Sequence, residues 1–378
     1  MDSSPPDITV PADLRPADGR FGSGPSKVRP DAVSALTAAA PTYLGTSHRQ
    51  APVRSVVGRV RDGMTELFAL PDGYEVVLGN GGAACFWDVA LFSLIERRSQ
   101  HLSFGNFSES FAGLVAGAAQ AHLDSPDIIE SPAGTHPDPK PNADVDAYAL
   151  THNETSTGVA MEVLRPVPVD EALVLVDATS AAGGMRLDPT QFDAYYFSPQ
   201  KGFGADGGLW IALLSPAALE RVDRVKASGR WIPESLSLAT AVENARLNQT
   251  YNTPGLATLF LMCDQLEWIL SNGGLEWAAS RCETSSNLLY GWAEKSDYAT
   301  PFVADHADRS PVVGTIDLDP SIDAKVVTKV LRTNGIVDTE PYRKLGRNQL
   351  RVAMFPAVDP DDVAILTGAV DYIVDKLS

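Results

Sequence analysis

The stretch FDAYYFSPQKGFGADGGLW, residues 192–210, places a single lysine, Lys201, between two apolar runs. The run 195–197 is aromatic and the run 209–214 is apolar throughout, and both have the length and composition of buried strands. The turn between them contains Lys201, one proline and four glycines. Glycine and proline are used where the backbone turns sharply or approaches another group closely. The pattern therefore predicts a lysine that is held in place by its turn.

A carboxylate follows a second predicted strand. The run Leu173–Val176 is entirely apolar, as is typical of a strand buried on both faces of a parallel sheet, and it ends in Asp177. In an open α/β sheet, ligands bind in the crevice beyond the carboxyl ends of the strands, where Asp177 and Lys201 would both lie. Taken alone, the two residues are explained equally well by an ion pair and by a functional site.

A third predicted segment has the outline of a phosphate site. Glu75–Leu78 is predicted to be a strand, Gly79–Gly82 a turn, and Ala83–Ile95 a helix. Unsatisfied backbone N–H groups and the helix dipole favour an anion at such a helix start. The segment has no GxGxxG pattern, which argues against a dinucleotide. Glycine turns also join strands to helices with no ligand, so this signal is weak by itself.

Composition excludes several classes of partner. The 378 residues carry a net charge of -18 at pH 7, which argues against nucleic acid because phosphate backbones require a basic surface. No apolar run reaches the length of a membrane span, and the N-terminus has no secretory pattern, so we expect a soluble cytoplasmic protein without a membrane partner. Cysteines without metal-binding spacing predict free thiols and no metal site. They are Cys85, Cys263 and Cys282.

Five segments together resemble a known family. Residues 198–202, preceded 24 residues earlier by 176–180, resemble the cofactor core of fold-type I pyridoxal 5'-phosphate enzymes, and more closely the phosphoserine aminotransferase family, in an actinobacterial-like form. The others are 21–26 (FGSGPS), 153–158 (NETSTG) and 250–254 (TYNTP). The resemblance extends from Phe21 to Phe355. It implies that Lys201 forms a Schiff base with the cofactor aldehyde and that Asp177 pairs with the protonated pyridine nitrogen.

The resemblance also implies roles for other residues. Thr155 would hydrogen-bond the cofactor's ring hydroxyl, and Phe107 would stack on the ring where better-known relatives carry tryptophan. Asn252 and Thr253 would reach the cofactor phosphate held by a second copy of the chain. Two of these segments also have plain structural explanations: 153–158 as a polar turn, and Asn252–Pro254 as a helix cap. The implied cofactor-binding set is Gly82, Ala83, Phe107, Thr155, Asp177, Gln200, Lys201, Asn252 and Thr253.

The implied substrate-binding residues are cations. Arg351 would bind the α-carboxylate, because a bidentate arginine fixes a carboxylate in one orientation. His48 and Arg49 would bind the distal phosphate or carboxylate. Where several relatives have a His-Arg pair, this chain has Lys344-Leu345, and whether Arg343 or Lys344 faces the phosphate stays open.

The resemblance implies a fold, an assembly and an activity. The expected fold is α/β: an arm at 1–20, a large domain at 21–273 with a mainly parallel seven-stranded sheet, and a small α+β domain at 274–378. The expected assembly is a homodimer with shared sites. The implied reaction moves an amino group from L-glutamate to 3-phosphohydroxypyruvate, giving 2-oxoglutarate and O-phospho-L-serine for serine biosynthesis. Action on 4-phosphohydroxy-L-threonine in pyridoxine biosynthesis stays open.

Two alternatives remain at this stage. A related class-V enzyme, of the alanine-glyoxylate or serine-pyruvate type, would share Lys201 and Asp177 but would not need His48 and Arg49 for a distal anion. A non-catalytic protein of the same fold would not need Lys201. The presence of lysine, aspartate and phosphate turn in one chain argues against the second alternative.

Overall fold

The chain folds around a seven-stranded sheet, with a smaller sheet near the C-terminus. A computed structural model describes residues 6–118, 123–166 and 171–377. The strands are β1 Glu75–Asn80, β2 Ser99–Ser103, β3 Asp127–Glu130, β4 Ala147–Thr151, β5 Asn153–Glu154, β6 Val159–Ala160, β7 Leu173–Asp177, β8 Ala194–Phe197, β9 Leu209–Leu214, β10 Ala299–Pro301, β11 Val313–Leu318 and β12 Gln349–Ala353. The helices are α1 Pro30–Tyr43, α2 Ala51–Leu67, α3 Ala83–Ser93, α4 Asn106–Ala118, α5 Pro216–Ala227, α6 Leu238–Ala245, α7 Leu256–Ser271, α8 Gly274–Ala293, α9 Ala324–Thr333 and α10 Pro360–Leu377.

The order of strands in the large sheet confirms the expected architecture. The order is β1-β9-β8-β7-β4-β2-β3. Neighbouring strands from β8 to β3 are parallel, whereas β9 is antiparallel to both β8 and β1. Since β9 alone runs in the opposite direction, the carboxyl ends of β1, β4, β7 and β8 meet at one edge of the sheet. The segments that follow these four strands are thereby brought together.

Helices cover both faces of this sheet. The apolar residues of α1, α2 and α7 pack with one face, and those of α3, α5 and α6 pack with the other. Every residue of β4, β7, β8 and β9 is buried. This explains why these strands are continuous apolar runs without alternation. At about 25 cal/mol per Å² of apolar surface removed from water, this two-sided burial is a main source of the stability of the fold.

The C-terminal elements form a second layer with its own core. β10, β11 and β12 make an antiparallel sheet packed with α8, α9 and α10. The described part of the predicted N-terminal arm belongs to this layer, because Val10 is fully buried in its core, as is Phe21 directly after the arm. The Phe21 amide also donates to the carbonyl of Val337. Within the described ranges, no helix is long and apolar enough to cross a membrane.

The prediction of a turn at Gly79-Asn80 is wrong. β1 continues through both residues, which pair with Trp210 and Leu209 of β9. The strand continues because Gly79 has no side chain: a Cβ there would lie 2.1 Å from the Trp210 ring, which crosses over this position. The turn is reduced to Gly81 and Gly82, both with positive φ.

Gly79 supplies a test of this packing. We expect Gly79→Ala to destabilise the protein by about 1–3 kcal/mol, because an added methyl group forces the buried Trp210 ring to move. Gly113→Ala is the matched control: Gly113 is exposed within α4 and a Cβ there meets nothing within 4 Å. Alanine at position 113 should stabilise by about 0.5–1 kcal/mol. Urea unfolding of both variants measures the two changes, and equal effects would contradict the packing argument.

Candidate active site

A cavity of about 400 Å³ lies at the carboxyl edge of the large sheet. Its walls come from the segments after β1, β4, β7 and β8, from an N-terminal loop and from β12. The lining residues are Ser23, Gly24, Gly81, Gly82, Ala83, Ala84, Trp87, Phe107, Thr151, Asn153, Thr155, Asp177, Thr179, Ser198, Gln200, Lys201, Gly208, Tyr342 and Arg351. Its charged members are two cations, Lys201 and Arg351, and one carboxylate, Asp177. The cavity is therefore suited to an anion even though the chain as a whole is acidic.

Lys201 lies in the turn between β8 and β9 with only 6% of its surface exposed. Its Nζ donates a hydrogen bond of 2.5 Å to Thr155 Oγ1. Burial is the main cause that lowers the pKa of the Lys201 ammonium to about 8; Asp177 and Glu154 oppose the shift, and Arg351 adds to it. About a tenth of the amine is then neutral at pH 7, and the neutral amine is the nucleophile and base.

Close backbone packing fixes this turn. A Cβ on Gly202 would lie 2.2 Å from the carbonyl oxygen of Ala182, and a Cβ on Gly24 would lie 2.8 Å from Cε of Lys201. The Ser26 hydroxyl donates to the carbonyl of Lys201 at 2.7 Å, and the Ser26 amide donates to the carbonyl of Gln200. The loop 21–26 thus holds the lysine turn from outside, which explains why glycines occur on both sides of the contact.

Asp177 ends β7 and is buried beside the lysine turn. Its Oδ1 accepts from the Thr179 amide at 2.9 Å and from the Thr179 hydroxyl at 2.6 Å. Its Oδ2 accepts from Nε1 of Trp87 at 3.0 Å. Hydrogen bonds from neutral donors favour the ionised form of a buried carboxylate. Asp177 is therefore held as an acceptor at the cavity wall.

The start of α3 forms the anion-binding side of the cavity. Gly81 and Gly82 have φ values of 117° and 82°, which residues with a side chain rarely adopt. No side chain caps α3, so its first amides, at Ala83 and Ala84, are left to a ligand. The side-chain oxygen of Gln200 is also buried without a hydrogen-bond partner in the described structure. These groups supply donors and an acceptor without charge.

Two aromatic rings and an arginine close the opposite wall. The ring centroids of Phe107 and Tyr342 are 5.9 Å apart, and Lys201 Nζ lies 5.2 Å from the centroid of Phe107. The Arg351 guanidinium lies 5.2 Å from the Tyr342 centroid and donates to the carbonyl of Thr155 at 3.4 Å. Arg351 has no carboxylate partner among the residues that the structure describes. Such a cation is a ready binding site for a ligand carboxylate.

Phe107 is positioned by a buried glutamate. Glu154 is fully buried, and its Oε2 accepts from the amides of Phe107 and Ser108 at the start of α4. Its Oε1 accepts from the amide and hydroxyl of Ser156. Each hydrogen bond to a charged group is worth about 1.5–3 kcal/mol, so Glu154 anchors the helix that carries Phe107. Glu154 also offsets the helix dipole.

Six of the predicted site residues do not line this cavity within one chain. Asn252, Thr253 and Arg49 are exposed. The Thr253 hydroxyl and His48 Nδ1 are 3.0 Å apart, and the Asn80 amide group donates to the carbonyls of Asn252 and Thr253. Asn80, which contacts this surface patch, directly precedes Gly81 of the glycine turn in the same chain. The other two, Arg343 and Lys344, are exposed next to Tyr342.

Several residues of the cavity wall were not predicted from the sequence. Trp87, Thr179 and Tyr342 contact groups that were predicted, but none of them stands at the end of an apolar strand. One signal was available for Trp87: it lies one turn into a helix that starts at the cavity, and helical side chains lean toward the helix N-terminus. His152, interpreted as structural, is buried with Nδ1 3.1 Å from the Tyr195 hydroxyl, and burial lowers its pKa to about 4.

No metal centre accompanies these groups in the described part of the chain. Residues 6–118, 123–166 and 171–377 contain no group of three or more His, Cys, Asp or Glu side chains arranged to hold a metal ion. The three cysteines are free thiols. The cavity itself presents an amine, a carboxylate, an arginine and backbone amides.

Comparison with known proteins agrees with this geometry. The family model for aminotransferase class-V matches residues 140–339. A relative from Mycobacterium leprae is 60% identical over 376 residues, covering 100% of both chains. A Nocardioides relative named phosphoserine aminotransferase is 59% identical, covering 98% of this chain and 99% of its own. A crystal structure of a phosphoserine aminotransferase from Cytophaga hutchinsonii superposes with a TM-score of 0.85 at 26% identity, covering 94% of this chain and 99% of that one.

The sheet order, the lysine turn and these matches define an α/β protein of the fold-type I aminotransferase class. The expected α/β fold with a mainly parallel seven-stranded sheet is thus confirmed. The chain belongs, within the class-V aminotransferases, to the phosphoserine aminotransferase family.

The lowered pKa of Lys201 is testable against another lysine of the chain. Cofactor-free protein is pulse-labelled with formaldehyde and cyanoborohydride across a pH series, and the labelled peptides are quantified by mass spectrometry. Lys201 should reach half-maximal labelling near pH 8, because its neutral fraction grows as pH rises through that value. Exposed Lys226, whose pKa is raised by Glu243, should label only at higher pH.

The Asp177→Asn variant tests the direction in which the Asp177 charge shifts the pKa of Lys201. Asp177 raises the pKa of Lys201, so its neutralisation should move the Lys201 labelling midpoint to a lower pH and leave that of Lys226 unchanged. Parallel labelling curves for the two lysines in the unmodified protein would contradict the assignment.

Proposed function

We propose that this protein is a pyridoxal 5'-phosphate-dependent phosphoserine aminotransferase. It transfers the amino group of L-glutamate to 3-phosphohydroxypyruvate and yields 2-oxoglutarate and O-phospho-L-serine, a step of serine biosynthesis. The observation that carries the proposal is that Lys201, Asp177 and Arg351 line one cavity, and that Arg351 has no carboxylate partner among the described residues. The free cysteines support a reducing compartment, and we assign the protein to the cytoplasm. The small domain would start near residue 274, where α8, the first helix of the C-terminal layer, begins.

The donor set of the cavity fits the cofactor. The uncapped start of α3 at Gly82 and Ala83 would hold its phosphate, Asp177 would hold its ring nitrogen, and Phe107 would cover its ring. Thr155 and Gln200 would bind its ring substituents. When bound, pyridoxal phosphate supplies an aldehyde for the amine and an electron-withdrawing ring.

Lys201 would serve as nucleophile and as base. Its burial keeps part of the amine neutral, and the Thr155 hydroxyl orients Nζ within the cavity. Once the substrate amine has replaced it, Nζ would be free to take the proton from the substrate Cα and to pass it to the cofactor, and to move a proton in the reverse direction in the opposite half-reaction. The single turn between β8 and β9 therefore supplies both functions.

Arg351 would orient the substrate through its α-carboxylate. Its guanidinium rests on the Tyr342 ring and has a buried Nε without a partner among the described residues. A bidentate contact here would fix the direction of the Cα–H bond relative to Lys201. The same contact would serve glutamate and phosphoserine alike, because both carry an α-carboxylate.

Selection between substrates would depend on the distal anion. His48 and Arg49 would bind it, with Arg343 or Lys344 as an additional cation. The pKa of His48 is lowered by burial and by Arg49, so the imidazole would act as a neutral hydrogen-bond partner. These residues lie outside the cavity of their own chain. We therefore propose a homodimer in which one chain completes the other's site.

Amino-donor specificity tests this assignment. Arg49→Ala should lower kcat/KM for phosphoserine and glutamate by about tenfold to hundredfold and leave alanine almost unchanged, because a charge-assisted contact to the distal anion is lost. Arg351→Lys is the matched control: it keeps the charge, loses the paired N–H fork, and should reduce all three donors alike.

The assay is a spectrophotometric measurement of each half-reaction. If Arg49→Ala reduced all three donors equally, a small-substrate aminotransferase of the alanine-glyoxylate or serine-pyruvate type would replace this proposal. The same assay with 4-phosphohydroxy-L-threonine decides whether the protein also serves pyridoxine biosynthesis.

Subunit exchange tests the shared site. Asn252→Asp places a carboxylate beside the proposed phosphate contact while the exposed position tolerates the change in the isolated chain. Mixed Lys201→Ala and Asn252→Asp chains should recover about a quarter of wild-type activity, because half of randomly exchanged dimers contain one intact site. Mixing wild type with the Lys201→Ala/Asn252→Asp double variant should instead lose activity on exchange. Purely additive activities in both mixtures, after exchange is verified by mass spectrometry, would rule out sites shared between chains.

A further inference from the structure

Trp87 connects α3 to the carboxylate at the cavity wall. It lies one turn into α3, is half-buried and lines the cavity. Its Nε1–H donates to Asp177 Oδ2 at 3.0 Å. Its ring stacks on that of Phe111, with centroids 5.8 Å apart and planes inclined by 13°. Phe111 is 4% exposed, so α4 fixes the orientation of the indole from behind.

The hydrogen bonds to Asp177 leave limited room for a ligand. An ionised carboxylate has about four lone-pair sites. Both sites of Oδ1 are occupied by the amide and hydroxyl of Thr179, and one site of Oδ2 is occupied by Trp87. One site of Oδ2 remains for the cavity. Trp87 thus decides which oxygen, and which of its lone pairs, a ligand meets.

The chemistry of the indole adds a preference for one protonation state. Indole nitrogen only donates and cannot accept, so it has no partner to offer a protonated carboxyl O–H. The other titratable groups around Asp177 are Lys201, Tyr195 and Tyr196. The phenols are buried, and the negative charge of Asp177 raises their pKa values further, so they stay neutral. The nearby His152 is neutral as well, because burial lowers its pKa to about 4.

We infer that Trp87 is a positioning residue that aims one lone pair of Asp177 Oδ2 at the cofactor's ring nitrogen, so that the shared proton stays on the ring. This inference rests on the proposed function, in which Asp177 partners that nitrogen. Without the indole N–H, the carboxylate is a stronger base, and the proton moves from the ring nitrogen toward Oδ2. An unprotonated ring withdraws electron density less strongly, so the removal of the proton from the substrate Cα would be slower.

The test removes the N–H while keeping the aromatic ring. Trp87→Phe holoenzyme is reconstituted with pyridoxal phosphate labelled with ¹⁵N in the ring, and the ¹⁵N chemical shift is measured. We expect a shift toward that of the unprotonated ring, a cofactor dissociation constant raised about tenfold, and kcat lowered about tenfold with little change in KM. Benzothienylalanine at position 87, which replaces the N–H by sulfur in the same shape, should give the same ¹⁵N change and serves if Trp87→Phe does not fold.

Two controls separate positioning from packing. Phe111→Leu removes the stacking partner but keeps the N–H, so it should lower the melting temperature and move the ¹⁵N shift much less than Trp87→Phe does. Trp231→Phe makes the same substitution at a side chain that is 77% exposed and should change nothing. A Trp87→Phe protein with a lowered melting temperature but wild-type ¹⁵N shift and cofactor affinity would overturn the inference.

A third variant separates this inference from the proposed function. Asp177→Asn should move the ¹⁵N shift further than Trp87→Phe does. If Asp177→Asn moves it and the position-87 variants do not, only the role of Trp87 fails. If Asp177→Asn leaves it unchanged, the assignment of Asp177 in the proposed function fails, and the inference fails with it.

Discussion

Burial of the Lys201 amine is the constraint on which the rest of the cavity depends. An ammonium group transferred from water to a protein interior loses hydration that only nearby acceptors and anions replace. Here Thr155 accepts its hydrogen bond, and Asp177 and Glu154 supply negative charge. These groups only partly replace the hydration that the ammonium loses, so the pKa of Lys201 falls to about 8. The incomplete compensation is useful chemically, because an amine that is neutral part of the time is a nucleophile at physiological pH.

The direction of one strand makes this placement possible. Since β9 runs against its neighbours, the chain returns directly from β8, and Lys201 lies in a tight turn at the carboxyl edge. A parallel connection would instead have to cross over to the opposite edge of the sheet before the next strand begins. Glu154 anchors the start of α4 at the same edge of the sheet. This helix carries Phe107 and, one turn later, Phe111. The ring that would cover the cofactor and the ring that supports Trp87 therefore share one helix.

Sequence reasoning reached those parts of the site that follow apolar strands. Asp177 and Lys201 were found because buried strands are recognisable and their carboxyl ends have a known functional meaning. Trp87 was not found, because the sequence showed only its place one turn into α3, whereas its role depends on α3 and β7 approaching each other. The turn at Gly79 was misplaced for a similar reason: glycine favours turns in isolation, but here its missing side chain makes room for Trp210 on the neighbouring strand. The burial of Val10 in the C-terminal core also depends on contacts between distant parts of the chain.

The chain as a whole is negatively charged, whereas the cavity carries more positive than negative groups. The two charges therefore act on different steps, the first on the encounter with an anionic substrate and the second on its binding. A net charge of -18 repels an anionic substrate at long range, but exposed charges are screened beyond about 8 Å at physiological ionic strength. Within the cavity, Lys201 and Arg351 outnumber the single carboxylate, and salt reaches them poorly because Lys201 is buried and Arg351 is half-buried. Anion binding is therefore governed by short, desolvated contacts whose loss raises dissociation rates, whereas the acidic surface affects only the rate of encounter. An acidic protein thereby binds anions at one place without attracting them over its whole surface.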